Sequence, residues 1–269
     1  DVLKGMLRPA LIGNFTVADW SAIEARVNPW MSGMGEEKLK QFDQDIYKIN
    51  AAATFGCSVD QVTDDQRQIG KVQELSCGYA GGVGAFAAMG RAYGIHLPEA
   101  DAKRMVDAWR RSNQWAVRFW SELERAYTSA MHTPNAEFSA GRVTYLFDRQ
   151  HLWYILPSGR VLCYPFAKLE EDGISYCKAA WKPAADAKEW PRARLWKGLA
   201  CENITQAVAN DVLRHALRQL DNVVLHVHDE IVLEDGDPDL LRRVMCTSPP
   251  WAAGLPLKAE VKQMTRYGK

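Results

Sequence analysis

Two aspartates that end apolar strands, near opposite ends of the chain, restrict the possible folds more than any other feature. Asp19 closes the run ALIGNFTVAD over residues 10–19, and Asp229 follows VVLHVH in the segment VVLHVHDEIVLE. Burying a lone carboxylate at the end of a strand is costly unless a cation, hydrogen-bond donors or water compensate it. A divalent metal site is one interpretation of the two acids, and for Asp229 an exposed loop tip is the other.

The segment VVLHVHDEIVLE has the alternation expected of a β-hairpin. A period of two places Val223, Leu225 and Val227 on one face, and a turn at His228 and Asp229 places the carboxylate at the hairpin tip. His-Asp is not a favoured turn pair, which suggests that function selected these residues. Two carboxylates brought together from distant strands are able to bridge paired Mg²⁺ ions about 3.5–4 Å apart, an arrangement that supports in-line phosphoryl transfer.

A charged helix is predicted over residues 63–79. RQIGKVQELSCGY sets Arg67, Lys71, Leu75 and Tyr79 at successive i+4 positions, so they form one stripe about 18 Å long. Two cations, an apolar residue and an aromatic residue match the phosphates, sugar and base of a nucleotide laid along the helix. The alternative is an exposed helix whose cations face solvent and whose Leu and Tyr lie in the core.

The remaining pattern predicts a mixed α+β chain whose helices are concentrated in the first half. Helical spacing follows Asp19 in SAIEARVNPWM and recurs over residues 42–54 and 97–131 and in ACENITQAVANDVLRHALRQL, whereas residues 137–177 are β-rich. Between residues 103 and 125, basic side chains alternate with tryptophan and phenylalanine. Solvated charges over a core of aromatics are the ordinary interpretation, and a helix facing nucleic acid is the alternative.

Composition excludes several classes of protein. The 269 residues are 47% hydrophobic and 25% charged, with a mean hydropathy of −0.29, which is typical of a globular chain and excludes a membrane-spanning helix and general disorder. Lys plus Arg equal Asp plus Glu at 33 each, so the global charge neither favours nor excludes nucleic-acid binding. Gly82, Gly84 and Ala87 fit a dinucleotide fingerprint, but a charged helix precedes them where that fingerprint requires a strand.

The cysteines and the first residues of the chain predict its redox compartment and whether it belongs to a longer protein. Six scattered cysteines show no zinc spacing and predict free thiols in a reducing compartment. The start DVLKGML has neither an initiating Met nor the layout of a signal peptide, so we expect the chain to be part of a longer protein.

Several segments together resemble the polymerase region of family A DNA polymerases, the group that includes bacterial DNA polymerase I, and especially its phage members. ADWSAIEAR is similar to motif A of that family, RQIGKVQELSCGYAGG to motif B, and HVHDE to motif C, in the family's order. The likeness continues through DIYKINAAATFG, GVGAFAAM, LPSGR, ENITQAVANDVL, PPWAAGLPL and RYGK, and so covers nearly the whole chain.

The resemblance implies a right-hand polymerase fold reduced to two parts. A palm with an antiparallel sheet would comprise residues 1–35 and 135–269, and mostly helical fingers would comprise residues 36–134. The thumb and exonuclease domains of the family would lie outside this chain. Without a thumb, we expect a weaker grip on duplex DNA, because fewer phosphates are neutralised.

The same resemblance implies a DNA-directed DNA polymerase core that adds dNTPs to a primer 3′-hydroxyl by two-metal-ion nucleotidyl transfer. Asp19, Asp229 and the backbone carbonyl of Trp20 would bind two Mg²⁺ ions, with Glu230 as an accessory acid. Lys71 would grip the triphosphate and protonate the pyrophosphate leaving group.

By resemblance, nucleotide binding and DNA binding also map onto named residues. Glu24 would lie beside the sugar 2′ position and exclude ribonucleotides. The other residues with an implied nucleotide-binding role are Tyr47, Arg67, Lys71, Leu75 and Tyr79. Those with an implied primer–template role are Arg8, Gln206 and His228.

For some acidic and polar residues, a purely structural role is the alternative to a functional one. Ser21 and Glu24 also fit a capping box, in which Glu24 bonds the backbone at a helix start. Gln206 fits the exposed face of an amphipathic helix. Asp43 and Asp45 suggest a second metal pair, but acids at a helix start are explained by the helix dipole.

The chain departs from the family pattern at three motif positions. Trp20 replaces a usual Tyr, Gln68 a frequent Arg, and Leu75 a frequent aromatic residue, which should alter sugar discrimination. The Gly-Gly-Lys run of phage relatives is also missing near LWKGLACENITQ.

The expected partners are primer–template DNA and dNTPs, with no membrane, in the cytoplasm of a bacterium or phage-infected cell. Other replication proteins, or thumb and exonuclease domains of a longer chain, are further expected partners. Two other classes stay open: a nucleotide- or DNA-binding module without processive synthesis, and a single-subunit RNA polymerase.

Overall fold

The computed structural model describes residues 7–178 and 190–268, which fall into two compact units. The smaller unit combines the chain up to Val27 with the chain from Gln206 onward, and the larger unit comprises Asn28–Thr205. Among the described residues, no helix has both the length and the apolarity needed to cross a membrane.

The α-helices are α1 Ile23–Ser32, α2 Glu36–Lys40, α3 Ile46–Phe55, α4 Asp64–Cys77, α5 Val83–Ala92, α6 Glu99–Ser112, α7 Gln114–His132, α8 Lys197–Leu217 and α9 Pro238–Cys246. The strands are β1 Ile12–Trp20, β2 Glu137–Ala140, β3 Val143–Phe147, β4 Leu152–Ile155, β5 Val161–Tyr164, β6 Lys168–Glu170, β7 Gly173–Cys177, β8 Arg192–Leu195, β9 Val223–Val227, β10 Glu230–Glu234 and β11 Ala259–Arg266.

The smaller unit is built on an antiparallel sheet with strand order β11-β1-β10-β9. Strand β1 lies inside this sheet, and its residues Phe15 to Ala18 are buried on both faces, which explains why ALIGNFTVAD reads as one apolar run. On one face, Phe15 and Val17 pack with Val232 and Tyr267. On the other face the indole of Trp20 donates a hydrogen bond to the carbonyl of Met245 in α9 at 2.7 Å.

In the larger unit, helices α3 and α4 pack closely because a glycine lies at their contact. A Cβ built at Gly70 would lie 2.1 Å from the carbonyl oxygen of Tyr47, so no other residue fits without a backbone shift. The ends of both helices are also fixed locally. Asp45 caps α3 by accepting from the backbone N–H groups of Tyr47 and Lys48, and Thr63 forms a capping box with Gln66 at the start of α4.

The predicted helix over residues 97–131 is wrong in one respect, because it is two helices that meet at Asn113. Here the side-chain amide of Asn113 donates to the carbonyl of Trp109 at 2.9 Å. The Trp109 and Trp120 rings stack with centroids 6.2 Å apart, and both are buried. The prediction that the aromatic residues of this segment lie in the core is therefore confirmed for Trp109 and Trp120.

Two cations of the same segment form ion pairs along the helix surface. Lys103 pairs with Asp107, and Arg104 with Asp101, at helical spacings of four and three residues. Pairs of this kind on an exposed face contribute little to stability. They leave the helices with mixed charge, as expected of a solvated surface.

The β-rich region of the larger unit forms two antiparallel sheets, with strand orders β2-β3-β4-β5 and β6-β7-β8. Helix α7 packs against β2, β3 and β4, which buries Val143, Tyr145 and Leu152. The predicted α+β class with antiparallel sheets is confirmed. All six cysteines are free thiols, as predicted, and burial raises the pKa of Cys77 and Cys201 to about 12.

Candidate active site

The sheet of the smaller unit brings together the acids that the sequence singled out. Asp19, one residue before the end of β1, lies directly opposite Glu230 on β10 and opposite Glu260 on β11. Residues directly opposite each other in antiparallel strands project to the same face. The sheet therefore carries a row of three carboxylates, of which Glu230 is buried and Glu260 is exposed.

Asp229 lies beside this row because of the hairpin turn. Strands β9 and β10 are joined by His228 and Asp229 alone, as predicted, and the backbone N–H of Trp20 lies 3.4 Å from the carbonyl of Asp229. His228 has φ +54°, at a turn position that glycine ordinarily fills. An exposed histidine held in this conformation supports the idea that function rather than turn propensity selected the pair.

Tyr267 fixes the buried member of the row. Its hydroxyl donates a hydrogen bond to Glu230, and both side chains are almost fully buried. The backbone N–H of Tyr267 bonds to the carbonyl of Leu11 at 3.0 Å, and the guanidinium of Arg8 lies 5.5 Å from the centroid of the Tyr267 ring. The chain end thus ties Arg8 and Glu230 to the same aromatic residue.

The donor chemistry of this edge suits magnesium. Within the part of the chain that the structure describes, no group of three or more His, Cys, Asp or Glu side chains is arranged to hold a metal ion. Mg²⁺ does not need such a cage, because it typically takes one or two protein carboxylates and completes its shell with water and substrate phosphates. Asp19 and Asp229, with the Trp20 carbonyl, are a hard oxygen donor set of that kind.

Helix α4, in the larger unit, carries the predicted cationic stripe, but Tyr79 is not on it. The helix ends at Cys77, and Tyr79 lies in the turn that follows. Gly78 and Gly81 flank Tyr79 and Ala80, and glycine favours turns over a further helical turn. Ala80 itself has φ +59°, which is not helical. The stripe on the helix therefore comprises Arg67, Lys71 and Leu75.

Arg67 is held at the start of α3. Its Nε donates to Asp45 Oδ2 at 2.6 Å, and its guanidinium lies 5.3 Å from the centroid of the Tyr47 ring. Partial burial acts to raise the pKa of Asp45, but the hydrogen bond and charge of Arg67 and the two backbone N–H groups lower that pKa overall. Asp45 is thus a helix cap and an arginine partner, which supports the helix-start interpretation over a second metal pair with Asp43.

Lys71 and Leu75 continue the stripe with their ends accessible. The Lys71 ammonium lies 4.7 Å from the centroid of the Tyr93 ring, a cation–π contact. Leu75 is 37% exposed, whereas its helix neighbours Glu74 and Ser76 are buried. The exposed leucine thus separates the stripe from the core-facing side of α4, and the alternative of a core leucine is wrong.

A buried ion pair anchors the opposite side of α4. Glu74 Oε2 accepts from Lys38 Nζ at 3.0 Å, from Asn50 Nδ2 at 2.6 Å and from Trp109 Nε1 at 3.2 Å. The side chains of Lys38 and Glu74 are 4% and 6% exposed. This network joins α2, α3, α4 and α6, and fixes the rotation of α4 about its axis.

The structure corrects the capping box predicted for Glu24. Helix α1 begins at Ile23, so Glu24 is at the second helical position, whereas the box requires the third. The backbone N–H of Ser21 donates instead to the carbonyl of Lys258 at 2.8 Å. Ala22, with φ +51°, makes the sharp turn from β1 into the helix.

The predicted DNA-contacting residues all lie in the smaller unit. Arg8 is half-buried beside Tyr267, Gln206 is exposed on α8, and His228 is exposed at the hairpin tip. Sequence reasoning did not assign roles to Tyr267, Glu260 or Tyr93. Tyr267 lies in RYGK, a segment that carries the resemblance, but its contact with Glu230 joins residues 37 positions apart and has no local signal.

No protein-family model matches this chain. The chain is 38% identical to the DNA polymerase of Bacillus phage SP02 over 276 aligned residues, which cover 96% of this chain and 42% of the phage protein. It therefore spans less than half the length of this relative.

The fold has a counterpart among solved structures. The chain matches the POL domain of Pol1 from M. smegmatis, solved in complex with a DNA primer-template and dNTP, with a TM-score of 0.63 and 18% identity over 97% of this chain and 42% of that chain. The chain thus has the fold of a polymerase domain. The resemblance to family A DNA polymerases is confirmed in sequence by the phage relative and in fold by the POL domain.

Proposed function

We propose that this chain is the catalytic core of a DNA-directed DNA polymerase that extends a primer 3′-hydroxyl with dNTPs. The observation that carries the proposal is the acidic edge of the smaller unit, where Asp19 lies opposite Glu230 and beside the turn that presents Asp229. The relatives reported above, a phage DNA polymerase and a polymerase domain, support the same reaction.

In this proposal, Asp19, Asp229 and the Trp20 carbonyl would hold two Mg²⁺ ions. Ions held there would neutralise charge at the phosphates and make the attacking hydroxyl easier to deprotonate. Glu230 acts as the accessory acid, and Tyr267 fixes its carboxylate by a hydrogen bond. The chain itself contributes mainly positioning of reactants and fixed charge.

The stripe on α4, made of Arg67, Lys71 and Leu75, binds the nucleotide in this proposal. Arg67 and Lys71 bind the triphosphate, and Lys71 also donates the proton to the pyrophosphate leaving group. The partners of these cations, Asp45 and the Tyr93 ring, are partly exposed. A triphosphate is therefore able to compete for both cations.

The base and sugar contacts complete the assignment. We assign Leu75 and Tyr79 to the sugar and base, Tyr47 to nucleotide binding beside Arg67, and Glu24 to the exclusion of a 2′-hydroxyl. Arg8, Gln206 and His228 contact the primer and template. Three further points stay predictions: the palm and fingers boundaries at residues 35 and 134, a cytoplasmic location, and contacts with other replication proteins.

The test is primer extension on a short primer–template with dNTPs and Mg²⁺ at low salt. Asp229→Asn should reduce incorporation by several orders of magnitude and leave DNA affinity largely unchanged, because it removes a charge but little volume. Asp221→Asn, which changes an exposed acid just before β9, is the matched control and should extend normally. Near-normal extension by Asp229→Asn would overturn the assignment of the metal site.

Binding and extension are measured separately so that a binding module is distinguished from a polymerase. If the parent chain binds DNA but does not extend the primer, the proposed activity is wrong. Parallel assays with rNTPs separate DNA from RNA synthesis. Glu24→Ala should admit rNTPs more readily, and unchanged sugar selectivity would contradict its assignment.

A further inference from the structure

Three aromatic side chains meet on the surface of the larger unit, and none of them is used by the proposed reaction. The His151 ring contacts the rings of Trp153 and Phe166, with centroid distances of 5.4 and 5.0 Å. The Phe166 side chain is 44% exposed, and Trp153 lies on the face of its sheet opposite to the buried Leu152 and Tyr154. We call His151, Trp153 and Phe166 the aromatic trio.

The backbone holds Phe166 in place at a conformational cost. Its φ is +50°, which non-glycine residues rarely adopt. The Phe166 carbonyl accepts from Arg192 Nη2 at 3.0 Å, and the N–H of Ala167 donates to the carbonyl of Gln150 at 3.0 Å. A large ring that stays 44% exposed on a strained backbone points to a use of the ring beyond packing.

Hydrogen bonds to Asp148 hold the Trp153 side chain and the His151 backbone in place. The Trp153 indole donates to Asp148 Oδ2 at 2.8 Å, and the other oxygen of Asp148 accepts the backbone N–H of His151 at 2.6 Å. The orientation of the rings is therefore set before any partner binds, which lowers the entropic cost of binding.

Positive charge flanks the trio along both chain segments. Arg149 precedes the Gln150 whose carbonyl bonds to Ala167, and Lys168 follows that alanine. Both cations are exposed, and neither forms an ion pair with any residue in 7–178 or 190–268. Exposed rings beside unpaired cations suit a ligand that has flat apolar faces and regularly spaced negative charges.

We propose that the aromatic trio is a stacking surface for unpaired bases of single-stranded DNA, with Arg149 and Lys168 contacting its phosphates. Every base has a π-face, so stacking of this kind tolerates any sequence, and cations along the backbone complete such sites. Lysine is depleted at protein–protein interfaces relative to the rest of the surface, so Lys168 favours nucleic acid over a protein partner. The choice of DNA rests on the proposed function.

The test compares the affinities of three variants for a fluorescent single-stranded oligonucleotide of about 15 nucleotides, measured by anisotropy at fixed salt. Phe166→Gly removes the ring and suits the left-handed backbone, so folding should be retained. Phe166→Tyr keeps a ring. Leu169→Ala is the matched control, because Leu169 is as exposed as Phe166, at 44%, but is not aromatic.

We expect Phe166→Gly to weaken binding about tenfold, whereas Phe166→Tyr and Leu169→Ala bind like the parent chain. An oligonucleotide of the same length without bases should bind the parent chain and Phe166→Gly equally, because only phosphate contacts remain. Loss of affinity for both oligonucleotides, or for neither, would overturn the proposal.

Primer extension on a template with a minimal overhang separates this proposal from the proposed function. Phe166→Gly should extend such a primer at the parental rate. Intact extension with unchanged single-strand affinity would refute the stacking surface alone, whereas absence of extension by the parent chain would refute the polymerase activity.

Discussion

Replacing Lys38 with methionine isolates a buried negative charge and should strongly destabilise the larger unit. In the parent chain Glu74 Oε2 accepts from one charged and two neutral donors, namely Lys38, Asn50 and Trp109. Methionine has nearly the length of the lysine stem, so the perturbation is loss of charge rather than of packing. Breaking a buried ion pair by removing one partner costs about 3–5 kcal/mol. Since two neutral donors remain on Glu74, we expect about 3 kcal/mol.

The assay is urea unfolding of the whole chain, with the free energy of unfolding compared between variants. Lys40→Met is the matched control, because Lys40 lies on the same short helix and pairs with Glu37, but is 67% exposed. We expect little change from it, because exposed pairs are screened by solvent. Lys38→Met combined with Glu74→Gln should recover much of the loss, because no buried charge is then left unpaired. Equal effects of Lys38→Met and Lys40→Met would refute the reasoning.

Two further predictions concern α4. Asp45→Asn should lower the melting temperature at neutral pH, and the difference from the parent chain should disappear as the pH falls below 3.8. The pKa of Asp45 is lower in the folded chain than its ordinary value of 3.8, so the carboxylate stabilises the fold at pH values above 3.8. This contribution is lost as the carboxylate that binds Arg67 is protonated at lower pH. A stability difference that does not depend on pH would contradict this. Gly70→Ala should cost about 1–3 kcal/mol in urea unfolding, because the new Cβ meets the Tyr47 carbonyl at 2.1 Å. Gly84→Ala, where nothing lies within 4 Å, should be neutral or stabilising, and equal effects of the two would exclude the close approach as the cause.

The acidic edge was predictable because it depends on local patterns. The alternation in VVLHVHDEIVLE determines which residues face the core, and the turn pair interrupts it at one place only. That pattern predicted the hairpin that places Asp229 at its tip. The apolar run before Asp19 likewise predicted a buried strand, and β1 indeed lies inside its sheet.

What could not be predicted depends on contacts between distant segments. Lys38, in the charged segment EEKLK, is buried because α3 and α4 supply its polar partners, Asn50 and Glu74. Glu74 lies one position from the exposed Leu75, and only the packing of α4 distinguishes the two. The Tyr267 contact with Glu230 depends on the pairing of β11 with β1, which no short pattern encodes.

The two-residue turn at His228 and Asp229 has a consequence for how the hairpin can vary between relatives. Side chains alternate along β10, so a one-residue shift of the strand register, caused by an insertion or deletion in the turn, would exchange the faces of Glu230 and Ile231. The Glu230 carboxylate would then leave both Asp19 and the Tyr267 hydroxyl. Substitutions in β9 leave this register intact. Relatives of this chain should therefore differ more freely in the residues of β9 than in the length of the turn.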